Sequence, residues 1–300
     1  MRSTFAAGAL ATLLLSGAAI VPALATPTFP AAVKAGAPPA EVPDQDQDYL
    51  QLATSSDHRS SQNKARDKWR HPVESLTFWG IRPGDVILEL DPGGGYWTEV
   101  LAAFAKSTDG RYIAAWPEAA DAAQADETRR NEDRFLARFA DPAVWGKLDA
   151  VTFGPTSGPL APDGSVDFIL TGRNIHNFMW RGDLDKVLAD AFKALRPGGV
   201  LAVEEHRADP RPMIKDARDG YVSEAFVIAA ARKAGFDYSG DSEINANPRD
   251  SKDHPFGVWT LPPTRAGAPP GQPPNPNFDH TKYDRIGESD CMTLRFVKPG

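Results

Sequence analysis

The chain carries one cysteine, Cys291, in 300 residues. A lone thiol excludes an intrachain disulfide framework and a multi-cysteine metal site, and it is compatible with an oxidising compartment. Histidine is sparse as well, at six, and no two stand in H-x-x-x-H spacing, so no helical metal-ligand motif is expected. An excess of basic residues is missing. Lys and Arg number 33 against 40 Asp and Glu, a net charge of −7, which argues against a nucleic-acid surface. Nothing of the form G-K-[ST] follows a glycine-rich turn, which excludes a Walker-type phosphate loop. The apolar run from Phe5 to Val21 is shorter than the ~20 residues a membrane span needs.

What is present speaks first about compartment. The opening "MRSTFAAGALATLLLSGAAIVPALATP" places one basic residue ahead of the apolar run and ends in Ala23-Leu24-Ala25, a small-x-small site. That is the pattern of a secretory signal peptide over residues 1–25, so an exported protein, periplasmic or secreted, without stable membrane insertion is expected. No cysteine follows the run, which excludes lipoprotein processing. Residues 26–48 are Pro/Ala-rich and read as a flexible leader. The folded domain is expected over 49–300, and 41% hydrophobic content suffices for one large core or two small ones.

Within that domain, apolar runs alternate with helical patterns. "DHRSSQNKARDKWRHPVESLTFWG" has helical spacing interrupted by Pro72, which predicts two short helices. "VILEL" is a continuous apolar run, the mark of a strand buried on both faces. A helix over about 96–106, strand "RYIAAW", a charged helix over about 119–139, and strands "LDAVTF" and "VDFILTG" follow. Helix "DLDKVLADAFKALRPGG", strand "VLAVEEH" and helix "DGYVSEAFVIAAARKAGF" complete the alternation. Strands separated by helices predict a doubly wound, mostly parallel α/β sheet. After Phe236, "FDYSGDSEI" and "CMTLRFVKP" are strand-like and should pair antiparallel, with a Pro-rich loop at 262–279 between them.

The strand "VILEL" runs into "DPGGGYW". Three successive glycines at the carboxyl end of the first strand let a ligand approach the backbone. Counted from Gly93, the third glycine of the dinucleotide fingerprint is replaced by Thr98, so that fingerprint is not met.

The stretches "RDKWRHP", "PGDVILELDPGGGYWTEVLA", "VDFILTGRNIHNFMW", "ALRPGGVLAVEEHRA" and "IGESDCMTLRF" together resemble one family. The chain resembles the class I S-adenosylmethionine-dependent methyltransferases over roughly residues 50–300, and more narrowly the exported "predicted methyltransferase" group of bacteria. The resemblance implies a Rossmann-like seven-stranded sheet with a C-terminal antiparallel strand, and S-adenosyl-L-methionine as cofactor. Glu89 matches the acidic residue that opens the family's glycine motif, with Asp91 two places on. Gly93, Gly94 and Gly95 would lie against the cofactor. Trp116 stands where the family carries the acid that takes the ribose hydroxyls, Glu118 is the nearest carboxylate, and Pro155 replaces an aspartate that often contacts the adenine. An N-terminal helix often lids the cofactor in this family, a part open to Arg66, Asp67, Arg70 and His71. A sulfonium is favoured by aromatic faces, which points to Tyr96 beside the glycines and to Trp116. Trp97 is equally suited to the core.

In a doubly wound sheet the carboxyl ends of the first and fourth strands form the crevice. Arg173, Asn174, His176 and Asn177 after the fourth strand, and Glu205, His206 and Arg207 at the end of the fifth, converge there. His176 or His206 is the expected general base, with Asn174 and Arg173 orienting the acceptor or the cofactor carboxylate. His176, Glu205 and His206 make at most a loose trio, so no metal site is expected. The reading is an exported methyltransferase acting on a small molecule or an envelope substrate. The alternatives are a fold that binds a small ligand without catalysis and an envelope interaction protein on the same scaffold. An acid in place of Trp116 would have favoured the enzyme.

Overall fold

The computed structural model describes residues 44–119, 122–210 and 213–300. The expected signal peptide, and the leader through residue 43, lie outside the described residues. The strands are β1 (Val86–Leu90), β2 (Arg111–Pro117), β3 (Leu148–Phe153), β4 (Val166–Gly172), β5 (Leu195–His206), β6 (Asp237–Ser242), β7 (Pro255–Val258) and β8 (Cys291–Val297). Ahead of β1 come α1 (Asp44–Ser55), α2 (Ser61–Lys64), α3 (Asp67–Arg70) and α4 (Pro72–Trp79). Then follow α5 (Tyr96–Ser107), α6 (Ala122–Arg138), α7 (Pro142–Trp145), α8 (Ile175–Arg181), α9 (Leu184–Ala194), α10 (Glu224–Lys233) and α11 (Thr281–Ile286).

Seven strands form one sheet in the order β3-β2-β1-β4-β5-β8-β6. The five strands from β3 to β5 in that order run parallel, and β8 lies antiparallel between β5 and β6. This is the doubly wound, mostly parallel sheet expected from the alternation, with its antiparallel C-terminal strand. Residues of β1 alternate between two cores because successive side chains leave opposite faces of a strand. Leu88 and Leu90 join Ile169, Leu201 and the inner faces of α8, α9 and α10. Ile87 joins Leu170, Ala202, Val100, Leu101, Phe104, Leu76 and Trp79 on the side of α4 and α5. Each such fully buried Leu or Ile contributes about 1.5–3 kcal/mol.

Several boundaries differ from expectation for local reasons. Helix α1 starts at Asp44, inside the expected leader, because Leu50 and Ala53 are buried where it packs on α4 and α5. Pro72 does interrupt the N-terminal helical region. It sits in the first turn of α4, where no amide is needed, and His71 before it turns the chain with φ +37°. The pieces are three, α2 to α4, rather than two. Strand β5 begins at Leu195, not at Val200, since Leu195 pairs with Val166 across a bulge. The Pro-rich segment is mostly exposed, yet its end is anchored: Phe278 stacks on Tyr283 of α11 at 5.6 Å and 14°.

Candidate functional site

The turn after β1 puts three alternate residues, Asp91, Gly93 and Gly95, at φ +53°, +52° and +77°. Asp91 therefore occupies a backbone region that favours glycine, which places its short carboxylate beside the turn. Gly95 caps α5, and a Cβ there would stand 2.8 Å from the Phe139 ring. Its bareness has a packing cause, contrary to the expected ligand contact. Gly93 and Gly94 are different, for a Cβ on either would meet nothing within 4 Å.

These two open glycines form one side of a cleft of about 520 Å³, together with Asp91 and Trp116. The other wall is α6, which contributes Asn131, Arg134 and Phe135. Trp116 meets Phe135 edge-on at 5.0 Å, and its indole Nε1 is buried without a hydrogen-bond partner among the described residues. Arg138 Nη1 donates to Gly94 O at 2.9 Å, tying the helix to the turn. Burial pushes the Asp91 carboxyl up against the pull of Arg181, whose Nη1 is 3.7 Å away.

Two expected cofactor ligands lie off this cleft. Glu118 accepts from Thr156 N at 2.9 Å and from Thr156 Oγ1 at 2.7 Å, bonds that hold its carboxyl below the usual range and its side chain on the loop after β3. Glu89 points into the core under α5, where Thr98 Oγ1 donates to it at 2.8 Å and Tyr112 also donates. Burial raises its carboxyl to about 7.

A second cavity, of about 230 Å³, opens at the carboxyl ends of β4 and β5. Arg66, Arg70, Arg173, His176, His206 and Trp259 line it. Arg173 was expected to meet a ligand carboxylate, but its guanidinium is largely engaged inside the protein, with Nε 2.8 Å from Glu204 Oε1 and Nη1 2.5 Å from Glu288 Oε2. Arg66 and Arg70 reach the same Glu288 at 2.6 and 2.9 Å. Asn174 is not free either. Its Nδ2 donates to Leu90 O, Asp91 O and Gly172 O at 3.2, 2.9 and 3.2 Å, clamping the ends of β1 and β4 together. Tyr96 has lost its open face to the lid segment, since the guanidinium carbons of Arg70, Arg66 and Arg59 lie 4.5, 5.3 and 5.5 Å from its ring centre. A ring so covered by cations is no seat for a sulfonium. Trp97 is core: its Nε1 donates to Glu204 at 3.0 Å. Of the other lid residues, Asp67 pairs with Arg59, and His71 Nδ1 lies 3.2 Å from Asn245.

His176 and His206 do come together, with ring centres 5.4 Å apart. Glu205 stands behind His176, its Oε1 3.0 Å from Nδ1. The same carboxylate accepts backbone N–H groups from Ile175, His176 and His206 at 2.5, 3.3 and 2.7 Å. His206 Nδ1 lies 2.6 Å from Ser289 Oγ, and burial with the nearby Arg173 keeps its ring neutral. The trio is tighter than expected, with ligand-type atoms of His176, Glu205 and His206 all within 4.8 Å of one another. Its chemistry is that of a hydrogen-bonded dyad, however, because N–H donors already occupy both Glu205 oxygens and three guanidinium groups share the cavity. Asp91 lines the larger cleft and His176 the smaller cavity, and Asn174, two residues before His176, bonds the backbone of Asp91.

Arg134, Phe135, Glu288 and Trp259 were missed in the sequence. The first two could have been found, since Arg134, Phe135 and Arg138 share one face of a helix that must cover the end of β2. Glu288 and Trp259 lie on irregular backbone far along the chain, and no local pattern marks them.

Comparison with solved structures matches a S-adenosylmethionine-dependent methyltransferase from Aquifex aeolicus, at a TM-score of 0.50 and 14% identity, over 84% of this chain and 98% of that one. The fold is that of the class I methyltransferases. Among curated proteins, the chain is similar to the ubiquinone/menaquinone biosynthesis C-methyltransferase UbiE of Hydrogenovibrio crunogenus, 28% identical over 152 residues. That match covers 51% of this chain and 53% of the relative, so the chain spans about half the length of the curated relative it matches. No family model matches. On the methyltransferase fold, the larger cleft lies at the ends of β1 and β2 and the smaller cavity beyond the end of β4.

Proposed function

We propose that the chain is a S-adenosylmethionine-dependent methyltransferase acting on a small molecule, with the donor in the larger cleft and the acceptor in the smaller cavity. The observation that carries this reading is Gly94. Its backbone is not left-handed and a side chain there would touch nothing, so neither strain nor packing accounts for a glycine. A ligand lying against the turn does.

The cleft suits this donor. Asp91 offers a carboxylate to its ammonium group, and Trp116 offers an aromatic wall with a free N–H to its adenosine. Among the described residues, the carboxylate at the end of β2, Glu118, is held by Thr156, and Asn131 and Arg134 of α6 supply polar atoms across the cleft instead. S-adenosylmethionine supplies, when bound, a methyl group open to in-line displacement. The chain then has to hold the acceptor and remove its proton. With Nδ1–H directed at Glu205, His176 keeps a lone pair on Nε2, and proton removal from the acceptor falls to that nitrogen. The relative's name, a C-methyltransferase, supports methyl transfer as the reaction class. Export, read from the first 25 residues, belongs to the same proposal.

Calorimetric titration with S-adenosylhomocysteine tests the donor half. Saturable binding to one site is expected. A protein that takes up none would be a ligand-binding or envelope protein on this fold, not the enzyme proposed.

A further inference from the structure

The smaller cavity has a donor surplus that the protein itself does not use. Arg70 gives only its Nε to Glu288, and neither terminal nitrogen donates to any described residue. Arg66 gives Nε to Glu288 and Nη1 to Asn63 at 3.3 Å, which leaves Nη2. The carboxylates paired with the three arginines, Glu204 and Glu288, are not among the residues that line the cavity. Burial and mutual repulsion with Arg70 together pull Arg66 below the usual arginine range, even though Glu288 bridges the two.

Apolar side chains line the cavity beside these cations. Trp259 lies edge-on to His176 at 5.9 Å, and Val258 and Pro262 line the same cavity. The volume is about that of seven or eight liquid waters, room for a small ring with few substituents.

We propose that this cavity binds a small aromatic carboxylate, its carboxylate on the terminal nitrogens of Arg70 and Arg66 and its ring against Trp259 and Pro262. Three guanidiniums set against two paired carboxylates leave an excess of one positive charge, which suits a singly charged carboxylate over a doubly charged phosphate. Planar guanidinium donors also match the carboxylate fork. That this ligand is the methyl acceptor rests on the function proposed above; its binding does not.

Calorimetry on the full chain with benzoate, para-hydroxybenzoate, benzamide and inorganic phosphate separates the cases. Saturable binding of the two carboxylates is expected, with benzamide, the neutral isostere, weaker by about tenfold or more, as loss of charge-assisted hydrogen bonds implies. Arg66→Gln, at the more exposed of the two arginines, and Arg70→Gln should each cost the carboxylates about tenfold while S-adenosylhomocysteine binding stays unchanged. The benzamide comparison needs no variant and stands even if Arg70→Gln misfolds. Carboxylates binding no better than benzamide, or phosphate displacing benzoate at equal concentration, would overturn the proposal. If benzoate binds and S-adenosylhomocysteine does not, the donor assignment falls and the carboxylate site stands.

Discussion

His176 Nδ1 lies 3.0 Å from Glu205 Oε1, and that carboxylate is itself fixed by backbone N–H groups from Ile175, His176 and His206. The imidazole is therefore aimed by a group that cannot turn away. A carboxylate only accepts, so the ring proton belongs on Nδ1 and the lone pair on Nε2.

Long-range nitrogen–proton correlation spectra should show His176 in the Nδ1–H tautomer. Glu205→Gln replaces one acceptor oxygen by a donor and leaves buried N–H groups without partners, at a cost of about 1–3 kcal/mol. In that variant the His176 tautomers should mix. A wild-type spectrum showing the Nε2–H tautomer would remove His176 as the base.

Glu288 gathers Arg66, Arg70 and Arg173 within 2.9 Å, and these cations hold its carboxyl well below the usual range. The folded pKa is depressed, so the stability it contributes is present above the ordinary carboxylate value and lost as pH falls toward the folded one. Glu288→Gln leaves the buried Arg70 and Arg173 and the half-buried Arg66 without their shared carboxylate and should cost about 3–5 kcal/mol in urea unfolding at neutral pH. A loss under 1 kcal/mol would show that the cluster is solvated.

Glu89 has the opposite sign. Burial raises its carboxyl from 4.5 to about 7 despite the hydrogen bonds from Tyr112 and Thr98. The stability tied to its protonated form is fully present below about 4.5 and is lost as pH rises through about 7. Glu89→Gln should therefore gain stability relative to wild type between pH 5 and pH 8, measured by urea unfolding at both. An equal difference at the two pH values would contradict the assignment.

Periodicity made the sheet legible, because a strand buried on both faces must be largely apolar, and β1, β2 and β4 are so apart from Glu89, Arg111, Asp167 and Thr171. It also brought His176 and His206 to one rim, since strand ends in a parallel sheet are fixed by topology. What it could not reveal is which polar group meets which. Arg173, Asn174 and Glu118 have the right residue types at the right strand ends, yet each is engaged by a partner on another segment. The glycines show the same limit. Sequence marks three in a row, but only the position of Phe139, from the end of α6, separates the packing glycine from the open pair.

That separation supports the most direct test. Gly94→Val adds a side chain to empty space, whereas Gly95→Val forces it into Phe139 at a backbone φ of +77°. Unfolding temperature and S-adenosylhomocysteine affinity are to be measured on the same samples of wild type and both variants. The expected result is binding by the wild type, an unchanged unfolding temperature with binding abolished in Gly94→Val, and a loss of stability of about 1–3 kcal/mol in Gly95→Val. Wild-type affinity retained in Gly94→Val, or no binding by the wild type, would contradict the placement of the donor in this cleft.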